Sequence, residues 1–152
     1  MGDVMRIWVG ADHGGVALKM VLVERLEELG HIVTDIGADG AKSVDYPDYA
    51  RPVAEAVADG RAERGLLVCG SGQGMAMAAC KVPGVRAACV SDPVSARLVV
   101  EHNDARVLCL GARIVGVELA LGCLSAWLDA SFEGGRHTRR VGKIEALPPQ
   151  DG

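Results

Sequence analysis

Apolar residues recur along the chain in two rhythms that take turns. Short runs rich in Val, Leu, Ile and Cys alternate with longer stretches where apolar positions return every three or four residues. The first rhythm suits strands buried on both faces, the second amphipathic helices. It predicts a strand over Met5–Gly10, then a helix over Val16–Leu29 with Leu18, Leu22, Leu26 and Leu29 on one face. Gly30 then caps that helix. A second strand is expected over His31–Ile36, a long loop over 37–46, and a helix over Pro47–Asp59. Its leading proline sits where a missing N–H costs nothing. The same reading gives a strand at Gly65–Cys69, a short helix at Gly74–Lys81, a strand at Val85–Val90 and a helix at Pro93–Glu101. It ends with a strand at Arg106–Leu110, a long helix at Val115–Ala130 and a charged helix at Arg136–Ala146. Residues 147–152 are expected to be disordered.

Strands alternating with helices imply a parallel sheet covered on both faces, and right-handed crossovers narrow this to a doubly wound α/β fold. Ligands of such sheets bind beyond the carboxyl ends of the strands. The polar and glycine residues gather at those ends. Ala11-Asp12-His13-Gly14-Gly15 follows the first strand, Gly70-Ser71-Gly72-Gln73-Gly74 the third, and Gly111-Ala112-Arg113 the fifth.

Composition sharpens this picture. The 152 residues fit a single domain, taken as 1–146. Aromatics are only 3%, so aliphatic side chains must build the core. The 16 Lys and Arg against 20 Asp and Glu leave a net charge of −4, which argues against a nucleic-acid partner. No apolar run approaches the ~20 residues of a membrane span. The first ten residues lack a signal-peptide pattern, and Arg6 stands where a myristoylation motif needs Ser or Thr. A cytoplasmic protein without a membrane partner is the expectation. Five cysteines form no C-x-x-C pair. Cys80, Cys89, Cys109 and Cys123 lie in apolar runs and read as small buried hydrophobes. Cys69 differs, because a glycine-rich loop follows it directly.

Cys69-Gly70-Ser71-Gly72-Gln73-Gly74 carries the most chemistry. Its glycines let a ligand approach the backbone, and free amides at a helix start stabilise negative charge. Three glycines in five residues exceed what a tight turn needs. Cys69 is either the last core residue of its strand or a base or nucleophile, since a helix N-terminus stabilises a thiolate. No Gly-Lys-Ser/Thr follows, so the loop is not a P-loop. Asp92 lies about 20 residues on, where a dinucleotide fold places its ribose-binding acid, but G-x-G-x-G is not the dinucleotide spacing. Asp12-His13 is either a helix cap or a pair that meets a polar substrate. In His102-Asn103-Asp104, after the fourth helix, His102 suits acid/base work near neutral pH. Arg136 and Arg140 share a helix face, as a clamp for a dianion or a solvated basic patch. Tyr46 either lines a pocket or staples the helix after it.

These motifs occur in one order: Gly10-Ala11-Asp12-His13-Gly14-Gly15, Val44-Asp45-Tyr46-Pro47-Asp48-Tyr49-Ala50, the Cys69 loop, His102-Asn103-Asp104 and Glu133-Gly134-Gly135-Arg136-His137. From Arg6 to about Ala146 the chain closely resembles type B ribose-5-phosphate isomerases, in the family that also holds galactose-6-phosphate and allose-6-phosphate isomerases. The resemblance implies a three-layer α/β/α Rossmann-like sandwich with a five-stranded parallel sheet. It implies a homodimer, in some members a tetramer, with active sites at the interface, and neither metal nor cofactor. Family members use as base either the Cys before the loop or a Glu after it. Here Cys69 is present and Met75 stands at the Glu position, so the chain resembles the cysteine type. Cys80 departs from a common Asn.

On that resemblance, Cys69 is the general base that moves a proton between carbons 2 and 1 of a ribose 5-phosphate enediolate. His102 assists ring opening and Asp12 orients hydroxyls. The amides of Gly70, Gly72 and Gly74, with the Ser71 hydroxyl, form an anion hole. His13, Arg136, Arg140 and Arg113 hold the phosphate, while Tyr46 and Asn103 meet the sugar. Two alternatives stand: an isomerase of a hexose 6-phosphate or tetrose phosphate, and a non-catalytic nucleotide-binding module.

Overall fold

The computed structural model describes residues 2–146; the expected disordered segment 147–152 lies outside them. Among the described residues, five strands and five helices alternate and a sixth helix follows the fifth. They are β1 (Arg6–Ala11), α1 (Val16–Glu28), β2 (Ile32–Asp35), α2 (Pro47–Ala58), β3 (Arg64–Cys69), α3 (Gln73–Cys80), β4 (Ala87–Cys89), α4 (Pro93–Asn103), β5 (Val107–Gly111), α5 (Val117–Asp129) and α6 (Arg136–Glu145). All five strands are parallel, in the order β2-β1-β3-β5-β4. The order changes direction between β1 and β3, so the crevice beyond their carboxyl ends is the switch point of the sheet.

Strand periodicity builds the core. In β3, Leu66 and Val68 face one side while Leu67 and Cys69 face the other; in β5, Leu108 and Leu110 oppose Val107 and Cys109. One face packs against α1, α4 and α5, the other against α2 and α3. Trp127 is the largest fully buried side chain, and its indole N–H donates to the Ala105 carbonyl at 3.0 Å. A Leu side chain buried as Leu22, Leu66 and Leu108 are contributes about 2 kcal/mol. Lys19 is the buried cation of the first face. Its ammonium reaches Asp35 Oδ1 at 2.8 Å and the Ala38 carbonyl at 2.7 Å. That pairing ties α1 to the end of β2 and to the long loop.

Several boundaries move, each for a local reason. β1 and β5 end one residue later than the pattern predicts, because Ala11 pairs with Val68 and Gly111 with Cys69. β4 shrinks to three residues, because Val85 closes a turn onto the Val82 carbonyl. α5 starts at Val117, since the Val115 N–H turns back to the Gly111 carbonyl. α4 runs on to Asn103, so His102 and Asn103 form its last turn and do not follow it. Asp104 adopts the left-handed conformation as its C-cap, with φ 48°. Two cysteines depart from the buried reading: Cys80 is exposed and Cys89 half-buried. Cys80 bonds instead to both backbone groups of Ala87, accepting from its N–H and donating to its carbonyl. A side-chain amide could make the same pair of bonds there. Among the described residues, no helix is long and apolar enough to cross a membrane.

Candidate active site

Two clusters of candidate residues lie at opposite ends of the sheet. The first sits at the carboxyl ends of β1, β3 and β5. Asp12 follows β1 and is only 9% exposed. It does not cap α1, whose N-cap is Gly15 without a side-chain bond. Its Oδ1 accepts from the Gly14 N–H at 2.9 Å instead. Next to it His13 is exposed, and its Nδ1 accepts from the Val44 N–H at 3.2 Å. That bond draws the long loop over the switch point.

Across the crevice, Cys69 ends β3, 4% exposed. Its sulfur accepts from the Gly72 N–H at 3.1 Å. Gly72 makes this possible by adopting φ 80°, which a side chain would strain. A Cβ there would also lie 2.7 Å from the Cys89 sulfur. The Ser71 hydroxyl is exposed and accepts from the Gln73 N–H at 3.3 Å. Two of the loop's amides thus have partners within the loop, at the two groups that carry its side-chain chemistry. Burial pushes the Cys89 and Cys109 thiols up from their ordinary range, which keeps both as neutral thiols.

Gly74 has a steric role beyond its amide. The Tyr46 ring lies directly against it, and a Cβ would meet the ring Cζ at 2.6 Å. Tyr46 itself stands at the N-cap of α2 and is 41% exposed, so its ring spans from α3 to the open rim. Met75 is fully buried in the core between α2 and α3. Arg113 joins the same rim. Its N–H donates to the Gly70 carbonyl at 2.9 Å, and its side-chain stem runs alongside Gly70. Asp92, the candidate ribose acid, is occupied as the N-cap of α4, taking bonds from the Ser95 N–H and hydroxyl, both at 2.7 Å. That use removes the residue on which a dinucleotide site would depend.

The second cluster lies near the amino ends of β4 and β5. His102 and Asn103 end α4, which runs antiparallel to the strands. Arg86, just before β4, donates to the Asn103 carbonyl at 2.7 Å. Arg136 and Arg140 share the exposed face of α6, as the spacing predicts. One β5 strand separates His102 from the Cys69 end of the sheet, roughly 15 Å at about 3.3 Å per residue. A single chain therefore brings Cys69, Ser71, Asp12, His13, Tyr46 and Arg113 together but not His102, Asn103, Arg136 or Arg140.

Two residues here escaped selection on sequence. His137 is 6% exposed and stacks on His102, with ring centroids 4.4 Å apart and planes 9° from parallel. Glu133 places Oε1 3.3 Å from His102 Nε2. Both lie in the last motif, yet nothing in the spacing shows that α6 folds back onto the end of α4. Burial, then Arg136 and His102, hold the His137 imidazole below its ordinary value. Ligand atoms of His102, Glu133 and His137 fall within 4.8 Å of one another. Nearly parallel rings send their lone pairs out in separate planes, so the two nitrogens do not converge on one ion. A cavity of about 880 Å³ also opens at this end, between the Met5 segment, Arg64 and Phe132, and none of the candidate residues lines it.

Fold and rim together define a doubly wound α/β protein whose polar loops meet at the switch point of the sheet. A family model described as Ribose/Galactose Isomerase matches residues 7–144, and the chain belongs to that family. It is an aldose–ketose sugar-phosphate isomerase, an intramolecular oxidoreductase. It is 47% identical over 142 residues to "Ribose-5-phosphate isomerase B" of Escherichia coli K12, covering 93% of this chain and 95% of that one. It is 43% identical over 142 residues to "D-erythrulose-4-phosphate isomerase" of Pectobacterium atrosepticum, with 93% of each chain covered. Ribose-5-phosphate isomerase B of Clostridium thermocellum superposes with a TM-score of 0.92 at 50% identity, over 93% of this chain and 95% of that one.

Proposed function

We propose that the chain, through residues 1–146, interconverts ribose 5-phosphate and ribulose 5-phosphate, without metal or cofactor, with Cys69 as the general base. The observation that carries this reading is the Cys69 sulfur itself. It is buried at the switch point and accepts the Gly72 N–H, a donor that favours negative charge on sulfur. Isomerisation then runs in three steps. His102 assists transfer of the anomeric hydroxyl proton to the ring oxygen as the C1–O bond breaks, leaving an open aldehyde. The Cys69 thiolate takes the proton from carbon 2, and the electron pair moves onto the carbonyl oxygen to form the enediolate. The Gly72 N–H being engaged by the Cys69 sulfur, the Gly70 and Gly74 amides with the Ser71 hydroxyl stabilise that oxyanion, each donor contributing about 3 kcal/mol. The thiol returns its proton to carbon 1 while the O2 proton passes to O1. Asp12, Tyr46 and Asn103 hold the sugar hydroxyls. His13, Arg113, Arg136 and Arg140 hold the phosphate.

The separation of the two clusters supports a site completed by a second copy of the chain, with His102, Asn103, Arg136 and Arg140 coming from the partner. We place the enzyme in the cytoplasm, within pentose phosphate metabolism. A tetrose 4-phosphate is the second reading, favoured by the Pectobacterium relative. The deciding experiment follows ribulose 5-phosphate formation in the presence of chelator, with erythrose 4-phosphate and hexose 6-phosphates as competitors. Rapid turnover is expected with the pentose, and Cys69→Ala should abolish proton exchange at carbon 2 while phosphate binding survives. Preference for another aldose overturns the substrate assignment, and normal exchange in Cys69→Ala overturns the base.

A further inference from the structure

Glu133 stands outside every role described so far, yet its place is built. The Glu133 N–H donates to the Glu101 carbonyl at 3.0 Å, pinning the 130–135 loop to the last turn of α4. That bond holds its carboxylate 3.3 Å from His102 Nε2. The other side of the His102 ring is closed by the His137 ring, stacked at 4.4 Å. His137 is itself buried, so the stack is a fixed wall. The charges acting on His137 are Arg136 and Arg140 on α6, His102 and Glu133 itself.

We infer that Glu133 is a positioning residue for the ring-opening step. Its carboxylate holds His102 by Nε2 and leaves Nδ1 as the nitrogen that exchanges a proton with the sugar. This rests on the proposed role of His102. A carboxylate beside an imidazole fixes the tautomer and stabilises the imidazolium that forms when the ring accepts a proton. The stacked His137 ring restricts rotation of the His102 side chain, which is otherwise 37% exposed. Glu133 touches no reacting atom in this scheme and acts only through His102.

Sugar chemistry supplies a test that separates this role from a structural one. Ribose 5-phosphate is a closed furanose and must open before carbon 2 can lose its proton. Ribulose 5-phosphate cannot form a furanose, because its fifth oxygen carries the phosphate. Deuterium exchange at its carbon 1 in D₂O therefore needs the base but not ring opening. Glu133→Gln keeps the shape and the backbone bond while removing the charge. Consumption of ribose 5-phosphate by this variant should fall by about tenfold or more. Carbon 1 exchange in ribulose 5-phosphate, followed by proton NMR, should stay within about twofold of the unsubstituted enzyme. Equal losses in both assays would make Glu133 structural and overturn the inference, as would no loss in either. If the unsubstituted chain performs neither reaction, the functional reading itself fails and this inference falls with it.

Discussion

At the scale of single residues, backbone demands and chemical demands coincide in the Cys69 loop. Gly72 needs a left-handed backbone so that its N–H reaches the sulfur, and Gly74 needs no side chain so that Tyr46 can lie on it. Gly74→Ala should therefore displace the Tyr46 ring, and with it the sugar contact proposed for Tyr46. Expected is a KM raised several-fold and a stability loss of about 1–2 kcal/mol. Steady-state kinetics with a urea titration checks both, and an unchanged KM would remove Tyr46 from the sugar site. His137 offers a pH test. Burial first, then Arg136 and His102, hold its pKa below the ordinary 6.5. The unfolded chain thus binds this proton more readily than the folded one. Stability from this residue is intact above about pH 6.5 and is lost as pH falls through the lowered folded value. His137→Gln should flatten the decline in urea midpoint between about pH 7.5 and 5.5. An equally steep decline in the variant would refute the assignment. The gathering of Cys69, Ser71 and Asp12 at one rim was legible in sequence, because each lies beside glycines at a strand end. Glu133 and Asp92 were not, since their partners depend on how loops fold back.

Elements were legible where periodicity was strong. β3, α1 and α2 match the pattern closely, because each carries an unbroken apolar face. Ends were less legible, since single backbone bonds decide them. The Val85 turn cuts β4 to three residues, and the left-handed Asp104 lets α4 run two residues further. A polar link that hydropathy does not reveal is Lys19 with Asp35. Lys19 has a side chain only 3% exposed, whereas that of Asp35 is 36% exposed. Removing the carboxylate strands a buried cation, with only the Ala38 carbonyl left to it. Removing the lysine leaves a carboxylate that water can reach. Asp35→Ala should accordingly cost about 2–3 kcal/mol, and Lys19→Met clearly less. Denaturant midpoints of the two variants compare them directly. A larger loss for Lys19→Met would show that the lysine stem, not the ion pair, holds the long loop.

At the scale of the whole molecule, the topology forces a question that one chain does not answer. α4 runs antiparallel to the strands, so its end carries His102 to the edge opposite Cys69, about 15 Å away. Ring opening at carbon 1 and proton removal at carbon 2 act on adjacent atoms. Their catalysts must lie within hydrogen-bond reach of those atoms. Either the site joins two copies, or His102 takes no part. A mixing experiment decides between these. Cys69→Ala and His102→Asn are each expected to be inactive alone. In a mixed dimer, one site receives the intact Cys69 of one chain and the intact His102 of the other, while its second site is doubly defective. Refolding the variants in equal amounts makes about half the dimers mixed, so about a quarter of the normal activity should return. A site confined to one chain would give none, because every chain in the mixture lacks one of the two groups. An active His102→Asn variant on its own would instead remove His102 from the chemistry, leaving the carboxyl edge of the sheet as the complete catalytic centre.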